Sequence, residues 1–187
     1  MQDYVHLHVH TQYSLLDGQS KIPNIVNKAV ANGMRGMAIT DHGNMMGVKE
    51  LADYISKIKG DAKKDLAKLE EELKEADEKR KKEIEDDIEY QHRILAFKPI
   101  FGCEMYVAHN KKEDKIKENG DASGYHLIVL AKNYNGYKNL IKLVSRAWVD
   151  GLYYKPRTDR ADLEKFHEDL IVSSACIASE VPTKILK

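Results

Sequence analysis

Apolar and polar residues alternate from Tyr4 to His10, with Val5, Leu7 and Val9 on one side and His6, His8 and His10 on the other, which is the period of a strand. The spacing turns helical after Ser20, which is placed to cap a helix with Pro23 in its first turn. Ile22, Ile25, Val26, Ala29 and Val30 would face inward along it until Gly33 ends it. Residues 35–40, RGMAIT, read as a short buried strand that runs into Asp41, His42 and Gly43, and a second helix is expected from Met46 through Ile58. Strand, helix, strand, helix in that order predicts parallel strands with crossover helices, as in an α/β barrel or a doubly wound sheet.

From Asp61 to about Arg93 the character changes. Gly and Pro vanish, Lys and Glu dominate, and Leu66, Leu69, Leu73, Ala76, Ile84 and Ile88 recur at heptad-like spacing. Residues 60–96 therefore read as a charged insertion, either one long exposed helix or an antiparallel helical pair, serving as a solvated spacer or as a docking arm. The α/β rhythm resumes with KPIFGCEMYV at 98–107, a strand carrying Glu104. Tyr125 to Ala131 is a further strand with His126 near its start, followed through Asn133 and Gly136 by a helix around Tyr137 to Trp148. A polar loop with a short helix near Leu163 leads to LIVSSAC, a buried strand ending at Cys176.

Composition narrows the class. With 187 residues, 42% of them hydrophobic and 32% charged, the chain is expected to form a single globular domain over 1–187 with a core of its own. No apolar run approaches the roughly 20 residues that span a bilayer, and the N-terminus lacks the order of a secretion signal, so a cytoplasmic monomer is expected. Two cysteines, Cys103 and Cys176, are too few for a disulfide framework and point to a reduced thiol or a metal ligand. Thirty basic residues balance thirty acidic ones, so any DNA contact has to be local.

In α/β folds, ligands gather at the carboxyl ends of strands. His8 and His10 close the first predicted strand, Asp41 and His42 the second, Glu104 lies in another and Cys176 ends the last, so residues far apart in sequence converge on one rim. Imidazole, carboxylate and thiolate are the donors that Zn²⁺, Mn²⁺ and Fe²⁺ accept. Two histidines at i and i+2 of a strand point the same way, about 7 Å apart, which favours a metal cluster over a single ion. Taken singly, a histidine in an apolar strand is more often a satisfied core residue, and Asp17 beside Gly18 serves equally well to hold a turn. His6 lies one pleat deeper and is expected to support the others or pack in the core. Cys103 precedes Glu104 and so faces a helix, and His109 and His167 read as surface residues.

HLHVHT followed by YSLLDG, then AITDHGNM and GCEMYVA, resembles the polymerase and histidinol phosphatase (PHP) family of metal-dependent phosphoesterases. YHLIVLAKNYNGYKNLIKLVS, GLYYKPR and LIVSSACIASEVP are similar to the branch of that family found at the N-terminus of bacterial DNA polymerase III alpha subunits. The resemblance implies a distorted seven-stranded β/α barrel whose rim holds up to three divalent ions, Zn²⁺ or Mn²⁺. The family's ligand pattern falls on His8, His10, Asp17, His42, Glu104, His126 and Cys176. His10, Asp17 and Asp41 are the expected catalytic positions, Asp41 orienting a ligand or taking up a proton. The pattern ends in an Asp-x-His pair that this sequence does not contain, so a barrel truncated before its last strands is expected. The resemblance further implies DNA replication, with a 3′ to 5′ exonuclease site, a primer-template and other replisome subunits as partners. The alternatives are a metal-stabilised scaffold for those partners and a free-standing phosphatase of the histidinol phosphate type.

Overall fold

The structure, a computed structural model, describes residues 4–119 and 122–186. Its elements are α1 (Ile22–Ala31), β1 (Gly36–Ile39), α2 (Gly47–Glu75), α3 (Glu78–Ala96), β2 (Lys98–Val107), β3 (Tyr125–Ala131), α4 (Tyr134–Val149), β4 (Leu152–Tyr153), β5 (Lys155–Thr158), α5 (Arg160–Lys165), β6 (Leu170–Ser174) and α6 (Glu180–Ile185). Two compact units emerge: Met1–His6, Lys21–Met37 and Lys49–Pro99 form one, and Leu7–Ser20, Ala38–Val48 and Ile100–Lys187 the other.

The first unit is mainly helical. α1 buries Ile22, Val26, Ala29 and Val30 as its periodicity predicts, but Ser20 does not cap it. Lys21 holds the cap position without a side-chain bond, and Pro23, whose fixed φ suits a first turn, takes over the starting signal. Gly33, at φ 75°, ends the helix in the left-handed conformation that glycine adopts without steric cost. α2 does not stop near Ile58 but runs 29 residues, through Gly60 and into the charged stretch. One exposed helical glycine costs about 1 kcal/mol, too little to interrupt flanks rich in Lys, Glu, Leu and Ala. The insertion is thus the outer part of α2 returning as α3, which Asp77 caps by accepting a 2.8 Å bond from Arg80 N. His6 belongs to this unit, where it forms an isolated parallel bridge with Met37 and meets Tyr4 edge to face. It is exposed rather than in the core.

The sheet has six strands in the order β4-β5-β2-β3-β6, with β1 also paired to β2. The expectation of parallel strands holds only in part. β2 and β5 are parallel, whereas β2 with β3 and β3 with β6 are antiparallel. The physical reason is the β2–β3 connection: a parallel neighbour needs a crossover, usually a helix, and the described residues between 108 and 124 supply only a turn of 3-10 helix at Lys117–Asn119. The sheet does not close on itself among the described residues, since β6 pairs with β3 alone.

Residues 4–10 do not form the expected regular strand. The chain bends at Leu7, and beyond it Val9 is held by Thr40, whose N donates to Val9 O at 2.8 Å and whose Oγ1 accepts from Val9 N at 3.0 Å.

α4 packs on one face of the sheet. Its Leu140, Leu143 and Ala147 recur at helical spacing and join Cys103, Met105 and Val129 in a fully buried cluster, each leucine contributing about 2 kcal/mol by burial. Asn133 starts the helix by accepting from Gly136 N at 3.0 Å. Because successive strand residues alternate, Cys103 and Met105 facing α4 oblige Glu104 and Tyr106 to face the other side.

Candidate metal centre

Glu104 stands at the centre of that other side, its side chain 2% exposed. The backbone places His42 beside it, because Glu104 N donates to Asp41 O (3.1 Å) and Gly43 N donates to Glu104 O (2.9 Å). His126, at the start of its strand, reaches the same point because β3 is antiparallel to β2 and pairs His126 with Tyr106. The end of β6 arrives there for the same reason, being antiparallel to β3 with Ser174 opposite Leu127. Cys176 follows two residues later, its Sγ 3.6 Å from His126 Nδ1.

His126 Nδ1 lies 2.8 Å from Glu104 Oε1, and His42 Nδ1 lies against Oε2. His8 Nε2 is 3.8 Å from Oε1 and His10 Nε2 is 3.6 Å from Oε2, while the two Nε2 atoms face each other at 3.0 Å. The His10 and His42 rings stack at 4.0 Å. Asp17, exposed after the positive-φ residue Leu16, turns its Oδ2 to His42 Nε2 at 2.7 Å. Two sets, His8–His10–Glu104 and Glu104–His126–Cys176, have ligand atoms within 4.8 Å of one another. The structure thus brings together all seven side chains of the family pattern.

Asp41 occupies a different place. It is 1% exposed and its carboxylate is engaged by Thr11 N (2.7 Å), Thr11 Oγ1 (2.8 Å) and Ser14 Oγ (2.7 Å). The Ser14 hydroxyl spends its single proton on Asp41, so it accepts from His10 Nδ1 at 3.1 Å and from His42 N at 3.2 Å. His10 is thereby held as the Nδ1–H tautomer with the Nε2 lone pair facing Glu104, the arrangement in which a ligating histidine is oriented through its other nitrogen. Asp41 is bonded to Thr11 and Ser14, and its contact with His10 runs through the Ser14 hydroxyl. Thr11 and Ser14 were missed by sequence reasoning because they lie in an aperiodic turn. Tyr106 was findable, two residues from Glu104 on the same strand face; its ring meets His126 at 5.1 Å and His42 at 6.3 Å.

The electrostatics favour a cation. Burial depresses the pKa of His10, and repulsion from His42 adds to this against the attraction of Glu104, so the ring is neutral with a free lone pair at neutral pH. Burial alone would raise Glu104, but the His126 hydrogen bond and the charges of His126, His42 and His10 outweigh it and keep the carboxylate ionised. The His42 hydrogen bond likewise holds Asp17 below the ordinary range. Burial raises Tyr106, with the Glu104 charge adding, so it stays a phenol. Glu104 Oε2 is buried and accepts no hydrogen bond of acceptable geometry, although two imidazoles lie against it. A buried carboxylate oxygen in this state, ringed by imidazole nitrogens, fits a divalent ion.

The remaining sequence candidates fall outside the cluster. Cys103 is fully buried against α4, which raises its thiol pKa strongly. His109 is half-buried against Tyr125 at 4.3 Å rather than free on the surface. His167 is exposed and contacts Glu164 O at 2.7 Å. No helix is long and apolar enough to cross a membrane among the described residues.

A family model for the PHP domain matches residues 6–187. The chain is 40% identical to DNA polymerase III subunit alpha of Borreliella burgdorferi, over 98% of this chain and 13% of that protein. The corresponding protein of Treponema pallidum is 36% identical, over 98% of this chain and 13% of its own length. That of Thermus aquaticus is 35% identical, over 98% and 12%. The chain therefore spans only 12–13% of the length of these curated relatives. With the family model covering nearly its whole length and the ligand pattern gathered around Glu104, this chain belongs to the PHP domain family.

Proposed function

We propose that the domain carries a metal-dependent phosphodiesterase site of a replicative DNA polymerase, acting on DNA as a 3′ to 5′ exonuclease in company with other replisome subunits in the cytoplasm. The observation that carries this reading is Glu104, an ionised, almost fully buried carboxylate with His126 Nδ1 against one oxygen, His42 Nδ1 against the other, and His8 and His10 beside them. His8, His10, Asp17, His42, Glu104, His126 and Cys176 would hold Zn²⁺ or Mn²⁺. Bound in pairs about 3.5–4 Å apart, such ions supply a water of lowered pKa and stabilise both attacking and leaving oxygens of phosphoryl transfer. The chain's own part is positional. Ser14, fixed by Asp41, keeps His10 in one tautomer, and Glu104 lies between the two ligand groups. Asp17, the most exposed carboxylate of the set, sits on the open side where substrate would arrive.

The test is degradation of a primer 3′ end by the full-length protein loaded with Zn²⁺ or Mn²⁺. Asp17→Asn or His10→Ala should abolish it, and activity retained in either variant, with any separate proofreading subunit absent, would overturn the reading. A second reading, in which metal only braces the domain, is favoured by the way Glu104 draws side chains from three other stretches of chain, around His8 and His10, His42 and His126, to one point. Chelation by EDTA separates the two: lost stability with no nuclease activity on metal return selects the brace.

A further inference from the structure

The GLYYKPR stretch lies beside the centre and supplies none of the side chains gathered around Glu104. β4 and β5 form a tight antiparallel ribbon, Leu152 paired with Pro156 and Tyr153 with Lys155, so Tyr154 alone occupies its tip. Tyr154 sits at φ 59°, a left-handed conformation in which glycine is at ease and a bulky aromatic residue is strained, and its side chain stands 70% exposed. Tyr153 braces it edge to face at 4.8 Å and is itself covered by the Arg157 guanidinium at 5.5 Å.

The ribbon is fastened to the strand that carries Glu104, since β5 runs parallel to β2 with Arg157 opposite Tyr106. Pro156 closes against Gly43, next to His42, where an added Cβ would lie 2.6 Å from Pro156 Cγ. Lys155 Nζ lies 5.3 Å from the centroid of the Tyr106 ring, whose other neighbours are His42 and His126. Lys155 is exposed and has no carboxylate within ion-pairing distance among the described residues, and its charge reaches Asp17, on the open side. A cation with no ion-paired anion among the described residues and a largely exposed aromatic ring, braced only along one edge by Tyr153, thus stand next to each other in the chain.

We propose that the Tyr153–Lys155 tip is the substrate-reading lip of the centre: Lys155 pairs with a backbone phosphate neighbouring the one that is cleaved, and Tyr154 stacks on an unpaired base of a single-stranded end. This deepens the phosphodiesterase reading and rests on it. A cation that tracks the backbone and an aromatic face that takes any base are the two parts of sequence-tolerant single-strand binding. A small phosphate monoester would use neither.

The test uses the full-length protein, loaded with Mn²⁺, on a single-stranded DNA oligonucleotide and on bis(p-nitrophenyl) phosphate, a diester without bases or neighbouring phosphates. Lys155→Met keeps the packing over Tyr106 and removes the charge. It should raise the ratio of the two KM values at least tenfold and lower the salt slope of oligonucleotide KM by about 0.7, with kcat within threefold and bound metal unchanged. Lys155→Arg should restore the ratio. Tyr154→Gly, which relieves the φ strain and so does not threaten folding, should raise oligonucleotide KM at least fivefold. An oligonucleotide ending in 5-bromodeoxyuridine should photo-crosslink at Tyr154. Unchanged KM ratios in both variants, with no crosslink in residues 152–155 while the diester is still hydrolysed, would overturn the lip and leave the phosphodiesterase reading standing. Hydrolysis of neither substrate by the parent would overturn that reading, and the crosslink alone would then decide for or against the lip.

Discussion

Replacing Ser14 by alanine tests the chain of contacts from Asp41 to His10. The hydroxyl is fully buried and makes three bonds: it donates to Asp41 Oδ1 at 2.7 Å and accepts from His10 Nδ1 and His42 N. A hydrogen bond to a carboxylate is worth about 1.5–3 kcal/mol, and a buried N–H left without a partner costs about 1–3 kcal/mol. The His10 side chain is 26% exposed, so water can satisfy its Nδ1, which leaves only His42 N to count. The expected loss is thus about 3 kcal/mol, read as a lower urea midpoint at unchanged slope in EDTA. The effect on metal is separate, because His10 loses the partner that fixes its tautomer, and affinity should fall about 10- to 100-fold. Thr11→Val is the control. It removes the 2.8 Å bond from Thr11 Oγ1 to Asp41 Oδ2 but touches no imidazole, so stability should fall by about 2 kcal/mol with affinity unchanged. Competition against a chromophoric chelator measures the affinities. Ser14→Ala binding metal within threefold of the parent would refute the orienting role, whatever its stability.

Gly43, at φ +60° with Pro156 Cγ 2.6 Å and Tyr106 Cε2 3.1 Å from any added Cβ, should tolerate alanine badly. A loss of about 2 kcal/mol, or roughly 4–8 °C in Tm, is expected, and an unchanged melt would contradict the packing. Asp159 predicts a pH dependence. Burial pushes its carboxyl up, but the N–H groups of Asp162 and Lys112, with the Lys112 ammonium, outweigh burial and hold it below the ordinary range. A folded pKa below the unfolded value of about 3.9 means that its contribution is complete above that pH and lost as pH falls through the folded value. Urea midpoints at acid and neutral pH should therefore converge for the parent and Asp159→Asn on acidification, and a constant gap would refute the assignment.

The sequence by itself determined the local pieces and the chemistry. Apolar spacing marks α1 and α4, the apolar run marks β1, and strand alternation separates Cys103 from Glu104, because these follow from periods that each residue's neighbours set. The donor types at His8, His10, His42, Glu104 and Cys176 were legible for the same reason: metal chemistry belongs to the side chain. Tertiary structure decided what these periods cannot encode. Strand direction depends on which partner a strand finds, and the antiparallel β2–β3 pairing is what carries His126, at the wrong end of its strand for a parallel sheet, to Glu104. Only the folded chain left His6, which alternation groups with His8 and His10, outside the two sets of possible ligands. Asp41, Thr11 and Ser14 acquire their roles only through bonds spanning about 30 residues of sequence, whose geometry no local pattern contains.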